Sequence, residues 1–146
     1  MKIAEYDARA HGNKVKTMLE KLGITEAYPK TDRNHFSFVA IEPNHEARDE
    51  PFAFVTVCQK LVHGRKSHDF YFATTAETRI FDLTNDAKLL ALVALRAAKK
   101  AGATHILATA KIEDSRLAEF FQRLGFVEAG ENNKERKFYL MREASA

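Results

Sequence analysis

The stretch that decides the fold reads NDAKLLALVALRAAKKAGATHILATA and covers residues 85–110. It begins with helix-capping residues, continues with leucines and alanines at helical spacing, and then reaches two lysines and Gly102, which are typical of a helix end. Residues 104–110 are a short apolar run of the kind that forms a strand buried on both faces. A strand, a helix and a second strand of the same sheet form a right-handed crossover. Since α/β sheets bind ligands beside the N-terminus of such a helix, we expect function between Thr75 and Lys88.

Upstream of this stretch, the apolar pattern predicts one helix followed by an antiparallel meander. Apolar residues at helical spacing predict a helix over residues 7–22, and Gly23 ends it. Alternating, aromatic-rich segments predict three strands, over residues 36–41, 52–57 and 69–75. Residues 44–50, up to Pro51, and the group Gly64, Arg65 and Lys66 are predicted as exposed turns between them.

Downstream, a third helix and a pair of strands complete the chain. Asp114 or Ser115 can cap a helix through Leu124, and Gly125 ends it. Strands over residues 126–128 and 137–141 are predicted around a polar turn at residues 130–135. The predicted order is α-β-β-β-α-β-α-β-β, an α/β protein with a mixed, mostly antiparallel sheet.

Composition indicates one domain, residues 1–146, with a self-sufficient core. The chain is 45% hydrophobic and 29% charged, and a chain of this length needs no disulfide or metal to fold. Its one cysteine, Cys58, cannot form an internal bridge, which favours a reducing compartment, most simply the cytoplasm. Acidic residues stand where a signal peptide would be apolar, and no apolar run is long enough to span a membrane.

The charge balance selects no partner. A net charge of +3 and a pI of about 9.0 give a mild preference for acidic ligands, which neither supports nor excludes a nucleic acid. Arg65 and Lys66, with His63 and His68, are interpreted as a solvated hairpin tip, and the histidine spacing predicts no metal site. An exposed edge of the meander would allow a homodimer.

The segment Asp82 to Phe126 resembles the core of the GNAT superfamily of N-acetyltransferases. Its best-matching piece is Asp114-x-x-Leu117-x-x-Phe120-Phe121-Gln122-Arg123-Leu124-Gly125-Phe126, which is similar to the family motif Asn-x-x-Ala-x-x-Leu-Tyr-x-x-Leu-Gly-Phe. The long helix that ends at Gly102 and the strand after it stand in the family's order and spacing. The resemblance implies a GNAT-like fold and transfer of an acetyl group from acetyl-CoA to a small-molecule or protein amine.

The resemblance also implies where acetyl-CoA binds. The family holds the pyrophosphate with backbone N–H groups of a Gln/Arg-x-x-Gly-x-Gly/Ala loop, which falls here on Asp82 to Ala87. Asn85 replaces a glycine, and Asp82 replaces Gln/Arg. Together with Asp86, Asp82 places two carboxylates where phosphates should lie, which opposes CoA binding unless Arg79, Lys88 or Lys111 offsets them. The expected cofactor-binding residues are Thr75, Ala76, Asn85, Asp86, Ala87, Lys88 and Asp114.

The catalytic residues implied by the resemblance are fewer. Many family members use the tyrosine of the Leu-Tyr pair as a general acid, and that position is Phe121, which has no proton to give. Glu77 is the expected general base, with His68 and His105 as alternatives. Each candidate also has a structural interpretation: helix capping for Asp82, Asn85 and Asp86, a solvated carboxylate for Glu77, a small buried residue for Cys58, and core packing for at least one of Phe120 and Phe121.

Three hypotheses follow from these residues. The first is an N-acetyltransferase-like enzyme, supported by the element order and the match at residues 114–126. The second, motivated by Asp82 and Phe121, is a non-catalytic GNAT-like module, of the kind found in small phage proteins, that acts through protein or nucleic-acid contacts. The third is an enzyme that uses another acyl or carbonyl donor, with the altered loop binding a less anionic ligand.

Overall fold

Seven strands form one mixed sheet, and three helices pack on its faces, within the residues that the structure describes. The computed structural model describes residues 2–21, 23, 35–41, 50–62, 65–75, 85–111, 115–132 and 136–142. In chain order the elements are β1 (Lys2–Glu5), α1 (Ala8–Lys21), β2 (His35–Ile41), β3 (Pro51–Val62), β4 (Arg65–Thr74), α2 (Asn85–Lys100), β5 (His105–Lys111), α3 (Ser115–Arg123), β6 (Val127–Asn132) and β7 (Arg136–Arg142).

The strand order in the sheet is β1-β2-β3-β4-β5-β7-β6. Neighbouring strands are antiparallel except β4 and β5, which are parallel and joined by α2. The predicted meander, the crossover and the closing strand pair are therefore confirmed. Strand β1 was not predicted, because four residues with two charged ends carry too little pattern to indicate a strand. Residues 2–5 form a strand because they pair with β2.

The two faces of the sheet bury different helices. Alternation along β3 and β4 puts Val55, Val57 and Phe70 on the face that packs with α2 and α3, which we call the inner face. The opposite face, called the outer face, packs Val39, Phe54 and Ala73 against α1. The helix residues in these contacts recur at helical spacing, namely Val15, Met18 and Leu19 in α1 and Leu90, Ala91, Ala94, Leu95 and Ala98 in α2.

Glycine ends α2 and α3 through the same hydrogen-bond pattern. Gly102 and Gly125 have φ values of 105° and 103°, in the left-handed region that glycine reaches without strain. After α2, Gly102 N–H donates to the Lys99 carbonyl and Ala103 N–H to the Ala98 carbonyl, both at 3.0 Å. After α3, Gly125 and Phe126 make the equivalent pair of bonds, so the Leu-Gly-Phe sequence is a helix stop followed by a buried ring.

Two sequence predictions about turns are wrong. Arg65 and Lys66 begin β4 and pair with Val62 and Leu61, because β3 and β4 extend as a ladder almost to the turn, and His68 is buried within it. Gly130 lies in β6, where the register shifts after Glu128, so that strand runs to Asn132.

The expected exposed edge of the meander is also absent from the described sheet. Strand β1 pairs with the outer edge of β2, and β5 pairs with β4, so the edge strands of the described sheet are β1 and β6. A homodimer stays a prediction, without the support of a meander edge.

Candidate functional site

A cleft opens between β4 and β5 within the sheet. The two strands pair at His68 with Ile106 and at Asp69 with Leu107, and no described pair continues the ladder beyond that point. Strand β4 nevertheless stays paired with β3 up to Thr74, and β5 with β7 up to Lys111. The strands therefore part on the carboxyl side of Asp69 and Leu107, and the sheet is open there.

Two helices begin at this same edge of the sheet. Since β4 and β5 are parallel, their carboxyl ends lie at one edge, and the helix that follows each strand begins there. Helix α2 begins at Asn85 and α3 at Ser115. The first-turn N–H groups of a helix have no partner within it and carry a partial positive charge, so this edge favours an anionic or hydrogen-bond-accepting ligand.

Five of the seven predicted cofactor-binding residues lie in the described part of the chain, on the first turn of α2 and at the end of β4. Asn85, Asp86 and Lys88 are exposed on the first turn of α2, whereas Ala87 is buried in the core. Thr75, at the end of β4, is half-buried, and its N–H donates to the Phe52 carbonyl at 3.0 Å. The structure thus brings these residues to one edge of the sheet.

The remaining predicted site residues lie outside the described part of the chain. These are Ala76, Glu77, Arg79, Asp82 and Asp114. Lys111 ends β5 at the same edge. Among the residues suggested to offset the acidic loop, Lys88 is thus the one whose side chain is described, exposed two positions after Asp86.

An aromatic cluster closes the inner face of the cleft. Phe121 of α3 is only 4% exposed, and its ring centroid lies 6.0 Å from Phe70, 5.7 Å from Phe126 and 5.6 Å from Tyr139. Phe120 is half-buried and packs edge-on against Phe72 at 5.4 Å. The rings of β4 and α3 therefore pack together on the inner face, next to the point where the strands part. The position that resembles the family's acid is therefore a core position in this chain, as the core interpretation predicted.

Neither histidine suggested as a base lies at the open end of the cleft. His68 is 9% exposed and lies in the last paired segment of β4 and β5. His105 begins β5, so it lies at the opposite edge of the sheet from the N-terminus of α2, and its Nδ1 is 3.0 Å from the Thr104 hydroxyl oxygen. Cys58 is buried, as its structural interpretation predicted, and its thiol donates to the Asp69 carbonyl at 3.7 Å.

Sequence reasoning missed Asp69 and Tyr71, which lie beside the cleft on the outer face. Both belong to the alternating set of β4 that includes Ala73, and both are half-buried. Leu107 and Thr109 occupy the matching positions on β5. The aromatic-rich sequence DFYFATT indicates a strand, but its register with β5, which places Asp69 at the closed end of the cleft, is not readable from the sequence.

Two further searches concern the described residues alone. None of the described helices is both long enough and apolar enough to cross a membrane. Within the same residues, no group of three or more His, Cys, Asp or Glu side chains is arranged to hold a metal ion.

Comparison with solved structures assigns the fold. An acetyltransferase of the GNAT family from Streptococcus pneumoniae matches with a TM-score of 0.71 at 12% identity, covering 97% of this chain and 98% of that one. The chain has the GNAT fold. A variant of a spermidine N-acetyltransferase from Vibrio cholerae matches with a TM-score of 0.70 at 14% identity, covering 97% of this chain and 92% of the other.

A third GNAT-fold match comes from the NatC complex in a structure bound to Gag peptide and CoA. Its TM-score is 0.68 at 15% identity, with 96% of this chain and 97% of that chain covered. No protein-family model matches the sequence, and a search of curated proteins finds no match. At identities this low the likeness establishes the GNAT fold, and the activity has to be argued from the cleft.

Proposed function

We propose that this protein is an N-acetyltransferase that transfers an acetyl group from acetyl-CoA to an amine. The observation that carries the proposal is the parting of β4 and β5 toward the edge of a GNAT-fold sheet at which α2 begins. Spermidine N-acetyltransferase and the CoA-bound NatC complex share this fold, which supports an enzyme over a non-catalytic module.

The described residues fit a CoA thioester. Parted strands leave room for an extended arm between them, and the first turns of α2 and α3 present N–H groups at the edge where such an arm would enter. Bound there, acetyl-CoA would supply an activated acyl group, whose transfer forms a C–N bond, breaks the C–S bond and moves one amine proton to the thiol. The side chain of Asp86 opposes the phosphates, and Lys88 offsets part of its charge.

Each predicted site residue has a proposed role. The N–H groups of residues 85–88 hold the pyrophosphate, and Thr75, Ala76 and Asp114 line the approach to it. Glu77 is proposed as the general base that removes the proton from the amine. With Phe121 in the core, this chain supplies no acid at that position. Binding of both substrates in one orientation therefore provides most of the acceleration.

Residues 1–146 act as one domain, in a reducing compartment that we propose to be the cytoplasm. A single buried cysteine supports this, since such a thiol needs no oxidising environment to be stable.

Calorimetric titration of the full chain with acetyl-CoA and with CoA tests the proposal. We expect saturable binding, and we expect Asp86→Asn to strengthen it by a few fold because one carboxylate is removed from the phosphate edge. The matched control is Glu5→Gln on edge strand β1, which removes one carboxylate far from the cleft and should leave the affinity unchanged. Absence of binding at millimolar ligand in both wild type and Asp86→Asn would reject the acetyltransferase and favour the non-catalytic module.

A further inference from the structure

One row of side chains crosses the outer face of the sheet from the closed end of the cleft to the far edge. The register pairs Asp69 with Leu107, Leu107 with Leu140, and Leu140 with Val127. With strands about 4.8 Å apart, the row from β4 to β6 is about 14 Å long. We call it the Asp69 row.

The Asp69 row is accessible in the described structure. Asp69, Leu107 and Leu140 are half-buried, and Val127 is 69% exposed. Helix α1 is the described helix on this face, and the core that it forms reaches no further than Ala73 and Tyr71 of β4. Helix α3 packs on the opposite face through Phe121. Leu107, Leu140 and Val127 thus form a continuous aliphatic strip with one exposed end, along which an apolar chain can lie.

The carboxylate of Asp69 indicates that one end of the ligand is positively charged. Among the described side chains on the outer face of β4, β5 and β7, Asp69 is the one carboxylate. Tyr71 follows on the same face of β4, so an ammonium group at Asp69 would also lie near an aromatic ring. An ammonium group gains charge-assisted hydrogen bonds at such a carboxylate, and three aliphatic side chains continue from it.

We infer that the acceptor is a primary monoamine with an apolar body, held with its ammonium nitrogen at Asp69 and its carbon skeleton along Leu107, Leu140 and Val127. This inference rests on the proposed acetyl transfer and names its acceptor class. The nitrogen is then held at the closed end of the cleft, where the strands part, and the Asp69 carboxylate in contact with it takes the place proposed for Glu77 as acceptor of the amine proton. A polyamine such as spermidine fits the row poorly, because its further charges would lie on aliphatic side chains without a counter-charge and would lose hydration.

Binding of amines to the chain without acetyl-CoA tests the inference separately from the reaction. Titration calorimetry with hexylamine and with spermidine measures both affinities. We expect hexylamine to bind more tightly, and Asp69→Asn to weaken its binding by about tenfold or more. The matched control is Glu119→Gln, which neutralises an exposed carboxylate on α3 and should leave the affinity unchanged. Leu140→Ser should weaken hexylamine binding by a few fold and leave spermidine binding unaltered, because a six-carbon chain anchored at Asp69 reaches Leu140, two strands away, but falls short of Val127.

The outcomes separate the acceptor class from the enzyme. If acetyl-CoA binds but spermidine is preferred, or Asp69→Asn leaves amine affinity unchanged, the acceptor assignment is overturned while the acetyltransferase stands. If hexylamine binds at Asp69 but acetyl-CoA does not bind, the acetyltransferase fails and the amine site stands as a binding site. Concentration-dependent self-association that Val127→Ser abolishes, measured by sedimentation, would show that a second copy covers the row and would overturn the assignment.

Discussion

Truncation of Phe121 to alanine tests whether the aromatic cluster across the cleft anchors α3. The side chain is 4% exposed and its ring lies within 5.6 to 6.2 Å of four other rings, those of Phe70, Phe120, Phe126 and Tyr139. Residue 121 also faces Phe126 across the stop of the helix, where the N–H of Phe126 donates to the carbonyl of Phe121 at 3.0 Å. The substitution removes ring packing from both β4 and the helix terminus.

The expected cost follows from burial and ring contacts. A buried phenylalanine truncated to alanine lowers the free energy of unfolding by about 3–5 kcal/mol. Phe120 is half-buried and lies near two rings, Phe72 and Phe121, so Phe120→Ala should cost about 1–2 kcal/mol. With a urea m-value of about 2 kcal/mol/M, Phe121→Ala should lower the unfolding midpoint by about 2 M and Phe120→Ala by less than about 1 M.

Urea unfolding followed by circular dichroism measures both variants under the same conditions. Phe120→Ala is the matched control, because it removes the same side chain from the next position of the same helix. Equal midpoint shifts for the two variants, or a cost below about 1 kcal/mol for Phe121→Ala, would refute the conclusion that residue 121 is a core anchor.

Four further measurements follow from the described contacts. Phe121→Tyr should lower stability by about 1–3 kcal/mol, since its hydroxyl enters an aromatic core, and an unchanged thermal midpoint would contradict that. Gly125→Ala and Gly102→Ala should each cost about 1–2 kcal/mol because both positions have positive φ, which denaturation midpoints would show. Burial lowers the pKa of His11 below its ordinary value of 6.5, against a smaller opposing effect of Asp7, and its Nδ1 accepts the Asp7 N–H at 3.0 Å. The unfolded chain therefore binds the proton more readily, so stability should be full above about pH 6.5 and fall as the pH drops toward the lower folded pKa, with a flatter profile in His11→Gln. The Cys58 thiol should react with a disulfide reagent only on unfolding, and fast reaction in the native state would contradict its burial.

Part of the candidate site could be predicted from the sequence. The order of strand and helix predicts the position of Thr75, Asn85, Asp86 and Lys88, because parallel strands joined by a helix place the end of the first strand and the start of the helix at one edge of the sheet. The interpretation of Phe121 as core also follows from spacing, since Leu117, Phe121 and Leu124 recur on one helix face. Charged residues beside a glycine indicate a turn at Arg65, Lys66 and His68, but these residues lie in β4, because the length of the β3–β4 ladder is decided by pairing and not by local preference.

The sequence by itself determined the three helices, their glycine stops, the central meander and the crossover, since each depends on a local period or on the conformational freedom of glycine. Only the tertiary structure decided that Lys2–Glu5 is a strand and that β4 and β5 part after Asp69 and Leu107. It also decided that Asp69, Leu107, Leu140 and Val127 form one row. The physical reason is that strand register joins residues far apart in the chain, so no local pattern specifies which side chains become neighbours.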